Sequence, residues 1–228
     1  MRERVAQHRE QGYLGHSIKI GALDSEGGPA LDAERISACL ADRKPGEFFL
    51  ADANGGLTPE TALRMLRMLP GGTDFVLEAP CGTWRETMSL RRRCTVPIVI
   101  DELVQHEDDL ITMISQDVAD GIGLKVSKAG GLTRGRRQRD IALAAGATVS
   151  VQDTVGSTIA FAAVAHLAAT VPERFLRCVL DCRSMVSTET ADFDAPITRG
   201  GVLVPDRPGL GLDVRVDRLG APLQVWEA

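Results

Sequence analysis

The sequence predicts an α/β fold, a (β/α) barrel in which each parallel strand is followed by a helix. Three observations carry this. Short β-branched runs alternate along the chain with longer amphipathic segments. Charged residues ending successive runs recur at a near-constant interval: 26 residues from Asp52 to Glu78, 23 from Glu78 to Asp101 and 24 from Asp101 to Lys125. No Gly-x-Gly-x-x-Gly follows a strand, and Gly55-Gly56 and Gly130-Gly131 are lone pairs, which disfavours a dinucleotide-binding sheet.

The strands are expected at 16–21, 47–52, 74–78, 97–101, 121–126, 148–152 and 176–181. The helices are expected near 3–11, 30–42, 59–69, 83–93, 104–117, 133–145 and 156–170. The third helix has the clearest start, an N-cap Thr58 followed by Pro59 in the first turn. Seven strands are one fewer than a closed TIM-type barrel takes, and the 228 residues fall just under its usual length of about 250. A first strand would precede Met1. Residues 1–181 are read as the barrel. Residues 182–228, rich in Gly and Pro, are read as a tail packing on it rather than a second domain.

Composition narrows the function classes. Apolar residues are 44% and charged residues 25%, which fits a soluble globular chain. A net charge of −5 and only 4% aromatics disfavour duplex binding and base stacking, so no nucleic-acid partner is expected. The run from Arg134 to Arg139 reads as a solvated helix face. The five cysteines have neither disulfide nor metal spacing and fit reduced thiols. Met1-Arg-Glu-Arg-Val lacks an apolar leader, and the most apolar run, 159–169, is too short to span a bilayer. No membrane partner is expected, and the chain reads as cytoplasmic.

Alternation then decides which side chains face the barrel interior, because one face of each strand must meet the helices. Ile18 and Ile20 take the helix face, leaving Ser17 and Lys19 inside. The same parity turns Val76 and Glu78, Val99 and Asp101, and Ser150 and Gln152 inward, together with Gly121, Gly123 and Lys125. Asp52 shares parity with Phe48 and Leu50, and Asp181 opposes Cys178 and Leu180. Lys19, Asp52, Glu78, Asp101, Lys125, Gln152 and Asp181 therefore end successive strands and are expected to face one cavity, at the rim where such barrels place their chemistry.

Each of these residues alone has a plainer reading: a strand-end Asp caps a helix, and an inward Lys completes an ion pair. Together, three carboxylates on neighbouring strands repel unless a cation neutralises them. A hard divalent ion, one Mg²⁺ per chain on Asp52, Glu78 and Asp101, is the simplest neutraliser.

The order Lys–Asp–Glu–Asp–Lys on successive strands resembles the enolase superfamily, muconate-lactonising-enzyme subgroup. The local strings agree: Gly12-Tyr13, Ile18-Lys19-Ile20-Gly21, Asp52-Ala53-Asn54-Gly55-Gly56, Leu77-Glu78-Ala79-Pro80, Asp101-Glu102 and Lys125-Val126-Ser127-Lys128-Ala129-Gly130-Gly131. Within that subgroup, Gln152-Asp153-Thr154, Glu173-Arg174-Phe175-Leu176-Arg177 and Pro208-Gly209-Leu210-Gly211-Leu212 are most similar to cis-3-hydroxy-L-proline dehydratases. The resemblance implies Mg²⁺ on Asp52, Glu78 and Asp101, binding a proline-type carboxylate. Lys19 or Lys125 removes the α-proton, and the metal stabilises the enediolate. Loss of the 3-hydroxyl makes the enzyme a hydro-lyase, whereas proton return from the opposite lysine makes it a racemase or epimerase. A non-catalytic, truncated barrel is the third reading.

The resemblance also implies roles that stay open at this level. Ser17 replaces the first lysine of the family's Lys-x-Lys and is either a hydrogen-bond donor to substrate or filler. Asn54 supports Asp52. Glu102 and Lys128 either brace the ligands or form surface salt bridges. Asp181 holds a substrate ammonium or pairs with Arg177 or Arg183. Gln152, Asp153 and Thr154 join the substrate side. The family's capping domain and first strand are not found in this sequence. That would leave open edges on the strands at 16–21 and 176–181, and a homo-oligomer is expected.

Overall fold

The computed structural model describes residues 1–154 and 156–225. The last three residues of the expected tail, 226–228, lie outside the described residues.

Seven parallel strands pair in strict sequence order: β1 (Gly15–Lys19), β2 (Phe48–Asp52), β3 (Val76–Glu78), β4 (Ile98–Ile100), β5 (Gly121–Lys125), β6 (Thr148–Gln152) and β7 (Leu176–Val179). Between them run α1 (Arg2–Glu10, ahead of β1), α2 (Gly28–Leu40), α3 (Pro59–Met68), α4 (Trp84–Arg91), α5 (Glu107–Ser115), α6 (Val126–Ala129), α7 (Leu132–Ala144) and α8 (Thr158–Ala168). A Cβ placed on Gly15 would lie 3.7 Å from that of Cys178. The ends of the sheet therefore approach one another, and the α/β fold is a nearly closed barrel.

Local chemistry places the helices. Thr58 Oγ1 accepts a hydrogen bond from the Thr61 amide (3.1 Å), Thr83 Oγ1 from Glu86 (3.2 Å) and Ser157 Oγ from Ala160 (3.1 Å). These caps satisfy amides that no earlier turn can reach. The helices bury Ile36, Met65, Leu90, Leu110 and Met113 against Leu77, Ile98, Ile100 and Ile122 of the strands.

Register aligns the chemistry. Lys19 pairs with Asp52, Asp52 with Glu78, and Lys125 with Gln152. These residues lie level at one end of the barrel because each strand runs in the same direction.

Three expectations need correction. The strand expected at 97–101 is Ile98–Ile100, and Asp101 begins the following turn. Val126 opens α6 rather than closing β5, because Gly130 and Gly131 adopt φ of +85° and +109° and allow a tight stop. The strand expected at 176–181 ends at Val179, and its register with β6 slips by a residue at Arg177. Asp181 lies two residues past the strand's end, so alternation no longer orients it.

After Asp181 the chain forms short antiparallel pairs, Ala191–Asp192 with Asp213–Val214 and Ile197–Thr198 with Gly201–Val202. It touches the rest of the chain through Gly200 N to Gly12 O (3.0 Å), Thr158 Oγ1 to Glu189 (2.5 Å) and an edge-on Phe161–Phe193 contact. Among the described residues no helix is long and apolar enough to cross a membrane.

Gly121 is required by close strand approach. An added Cβ would meet the Thr148 carbonyl oxygen at 2.6 Å, and Thr148 is its own ladder partner. Gly121→Ala is expected to cost about 3 kcal/mol and lower Tm by roughly 5–10 °C in a thermal melt.

Candidate active site

The ends of β1 to β6 bring together most of the residues singled out from the sequence. Asp52, Glu78 and Asp101 are nearly inaccessible, at 5%, 2% and 1% exposure. Such burial is costly for carboxylates, and each is met by a donor. Asp52 accepts from Lys19 and, at 2.9 Å, from the Asn54 amide. Asp101 takes Lys125 on Oδ2 (2.5 Å) and Lys128 on Oδ1 (2.8 Å). Glu78 accepts from Gln152 Nε2 at 2.7 Å.

The backbone around this cluster is under tension. Asn54 and Ala79, just past Asp52 and Glu78, hold φ of +45° and +41°. A non-glycine residue held there costs about 1–3 kcal/mol, which the surrounding structure must offset. Gly55 N donates to Ala79 O (2.8 Å) and Ala79 N to Val99 O (2.9 Å), tying the two turns together. Asn54 also accepts from Lys19 (2.6 Å) and donates to Glu102 (3.0 Å). It therefore links a lysine, a buried carboxylate and a neighbouring turn.

The electrostatics follow from crowding. Burial, reinforced by the charges of Asp52 and Asp101 and partly offset by the Gln152 hydrogen bond and Lys125, pushes the Glu78 carboxyl up to about 8. Burial pulls the Lys125 ammonium down, but its bond to Asp101, with Glu102 and Glu78 nearby, more than offsets this and leaves it above the ordinary lysine value. A desolvated lysine next to a carboxylate is thus held protonated.

Among the described residues no three His, Cys, Asp or Glu side chains form a ready metal cage. Ammonium groups sit against Asp52 and Asp101, and an amide sits against Glu78. The donor set nonetheless fits a hard divalent cation: three buried carboxylates compete for positive charge, and they supply oxygen only. Gly123 leaves the cluster room, since an added Cβ would fall 2.9 Å from Glu78 Oε1 and 3.4 Å from the Asp101 side chain.

The remaining sequence-nominated residues divide. Lys128 reaches both Asp101 Oδ1 and its backbone oxygen (2.6 Å), so it braces Asp101 rather than forming a surface ion pair. Ser17 shares the open face of β1 with Lys19, and no hydrogen bond engages it among the described residues. Asp153 accepts from Ser127 Oγ and the Thr154 amide (2.7 Å), and Ser127 also meets Thr154 Oγ1 (3.4 Å). That network stitches the turns after β5 and β6.

Asp181 is committed elsewhere, to Arg183 Nε and Nη2 (3.0 and 2.7 Å) and Tyr13 Oη (2.8 Å). Burial raises its carboxyl, and Arg183 and Tyr13 outweigh that and hold it below the ordinary range. Of the partners raised for it, Arg183 is the one found. Tyr13, Arg183 and Ser127 had no signal in strand periodicity, because all three lie outside strands. Asp181 should stabilise the fold above the ordinary carboxylate range, and that contribution should vanish as acid carries it through its depressed pKa. Asp181→Asn is expected to cost about 2 kcal/mol near neutral pH and progressively less as the pH falls below the ordinary carboxylate range, read from denaturation midpoints along an acid series. An equal loss in acid would overturn the ion-pair account.

Comparisons with known proteins show which family the chain is similar to. A curated cis-3-hydroxy-L-proline dehydratase from Roseibium aggregatum is 34% identical over 223 residues, covering 98% of this chain and 59% of the relative. Muconate cycloisomerase 1 of Rhodococcus opacus is 29% identical over 207 residues, covering 90% of this chain and 54% of the relative. Among solved structures, a Roseovarius nubinhibens protein assigned to the mandelate racemase/muconate-lactonizing enzymes, complexed with magnesium, superposes with TM-score 0.95 at 62% identity. That match covers 98% of this chain and 61% of the solved one, so this chain spans somewhat over half the length of such relatives. The model of the enolase C-terminal domain-like family matches residues 1–218. With its parallel barrel and the acidic cluster at the strand ends, the chain belongs to the enolase C-terminal domain-like family.

Proposed function

We propose that this chain carries the catalytic residues of a Mg²⁺-dependent hydro-lyase acting on a proline-type carboxylate, cis-3-hydroxy-L-proline. The observation that carries the reading is the pair of lysines on opposite flanks of one carboxylate cluster: Lys19 against Asp52 and Lys125 against Asp101, with Glu78 between them. The 34% identity to a dehydratase supports the substrate. Asp52, Glu78 and Asp101 would hold the cation. Once bound, it supplies positive charge opposite the substrate carboxylate.

This chain's own residues handle the protons. One lysine, as the neutral amine, takes the α-proton, and the C–H electron pair remains on the substrate. The carbon–oxygen bond at position 3 then breaks. A protonated group on the other flank donates its proton, and the hydroxyl leaves as water. The exposed Lys19, whose side chain is 64% accessible, suits exchange with solvent, whereas Lys125 is mostly enclosed. Lys128 and Asn54 keep Asp101 and Asp52 aimed inward.

The deciding experiment incubates the protein with cis-3-hydroxy-L-proline and Mg²⁺ in D₂O, followed by NMR. Loss of the 3-hydroxyl supports the reading. α-Deuteration with inversion and an intact hydroxyl would point to a racemase instead. Neither event, at millimolar Mg²⁺, would rule out both for this chain.

A further inference from the structure

On the helix-facing side of β1, behind Ser17 and Lys19, lies a second cluster of titratable groups outside the candidate site. His16 is its centre. Its side chain is 2% exposed, and neither ring nitrogen has a hydrogen-bond partner. The ring packs on Phe49 (centroids 5.0 Å apart) and lies parallel to His8 of α1 (6.3 Å), which in turn meets Tyr13 (5.7 Å). A buried group with unmet donors and acceptors is normally excluded from a core or given a partner.

The one acceptor nearby is already occupied. Glu47 Oε1 lies 3.6 Å from His16 Nε2, yet its carboxylate takes Arg9 Nε (2.5 Å), Arg9 Nη2 (2.8 Å) and the Lys44 amide (2.7 Å). Arg9 also donates to Asp42 O (3.1 Å), and Arg43 lies over the Phe49 ring. The charged and titratable groups facing His16 are therefore Glu47, Arg9 and His8, with Tyr13 behind His8. A proton on His16 would add a cation beside the Arg9 guanidinium and ask it to share a carboxylate that already accepts three hydrogen bonds.

α1 depends on this contact. Val5 is its one buried residue, and its polar ties are Arg2 to Asp42 (2.6 Å) and Arg9 to Glu47 and to Asp42 O (3.1 Å). We propose that His16 is an acid-sensitive pin: α1 stays docked on the barrel while the ring is neutral, and protonation loosens α1 together with β1, which bears Ser17 and Lys19. Burial, aided by Arg9 and His8 and opposed by Glu47, pushes the imidazole below its ordinary value. The unfolded chain therefore binds the proton first, so docking weakens as pH falls below the ordinary histidine range.

The test uses the whole chain without metal or substrate. Imidazole NMR is followed between about pH 7.5 and pH 5, with a free histidine derivative in the same sample as internal reference. Hydrogen exchange of α1 amides, corrected for intrinsic rates, is compared with that of α7 over the same range. The expected result is a His16 ring that stays neutral after the free histidine derivative has titrated. α1 protection should fall about tenfold relative to α7. In His16→Phe, which keeps an aromatic ring beside Phe49, the pH dependence of α1 should disappear. A His16 ring that titrates with the free histidine derivative, or α1 protection that tracks α7 in the native chain, would overturn the proposal. The ring titration decides the matter even if the variant does not fold.

Discussion

Lys125→Met should remove proton exchange at the substrate α-carbon by a factor of about 10²–10⁴ while leaving the barrel folded. The side chain is 15% exposed and bonds Asp101, and methionine retains most of its stem and apolar contact. Lys128 still reaches Asp101 Oδ1 and its backbone oxygen in the variant, so Asp101 keeps a partner. The check is NMR-monitored exchange in D₂O with circular dichroism as the folding control. An exchange rate within a few-fold of the parent would remove Lys125 from any catalytic part. Loss of exchange with loss of fold would instead mark it as structural, and Lys125→Arg would then separate charge from shape.

Glu78→Gln should lower Mg²⁺ affinity by at least about tenfold, measured by calorimetry, and take the exchange reaction with it. Glu78 is the most central of the three carboxylates, paired in register with Asp52 and shadowed by Gly123 and Gln152. Its neutral isostere can still face Gln152, and above about pH 8, where the parent carboxyl ionises, removing that charge relieves repulsion from Asp52 and Asp101, so there the metal-free fold should gain stability as the metal is lost. That opposition of signs is diagnostic. A variant that binds Mg²⁺ as tightly as the parent would place the cation elsewhere.

Much of this arrangement was legible from residue order. Apolar alternation over Ile18, Ile98–Ile100 and Val149–Val151 marked the helix-facing sides of strands, because a strand exposes alternate residues to alternate faces. A regular βα period then carried Lys19, Asp52, Glu78 and Lys125 to the same end. Asp101 was expected to end its strand and instead lies one residue past it, since the strand stops at Ile100.

Periodicity failed where the backbone stops being periodic. The end of β7 at Val179 removed the basis for orienting Asp181, and its bond to Tyr13 joins residues 168 apart in sequence. Lys128 illustrates the same limit. Its sequence position is three residues past Lys125, but only the four-residue helix α6 turns it back onto Asp101. His16 is a further case: alternation puts it on the helix face, and nothing in the sequence tells that Arg9 and Lys44 have already taken its one acceptor.

The sequence by itself determined the order of strands and helices, the acidic triad and the two flanking lysines. These depend on local period and residue type, which are properties of short windows. Tertiary structure alone decided which donor meets which carboxylate and which groups are left without one. Those pairings arise between elements far apart in the chain, where burial makes each unmatched polar atom costly and each shared acceptor contested.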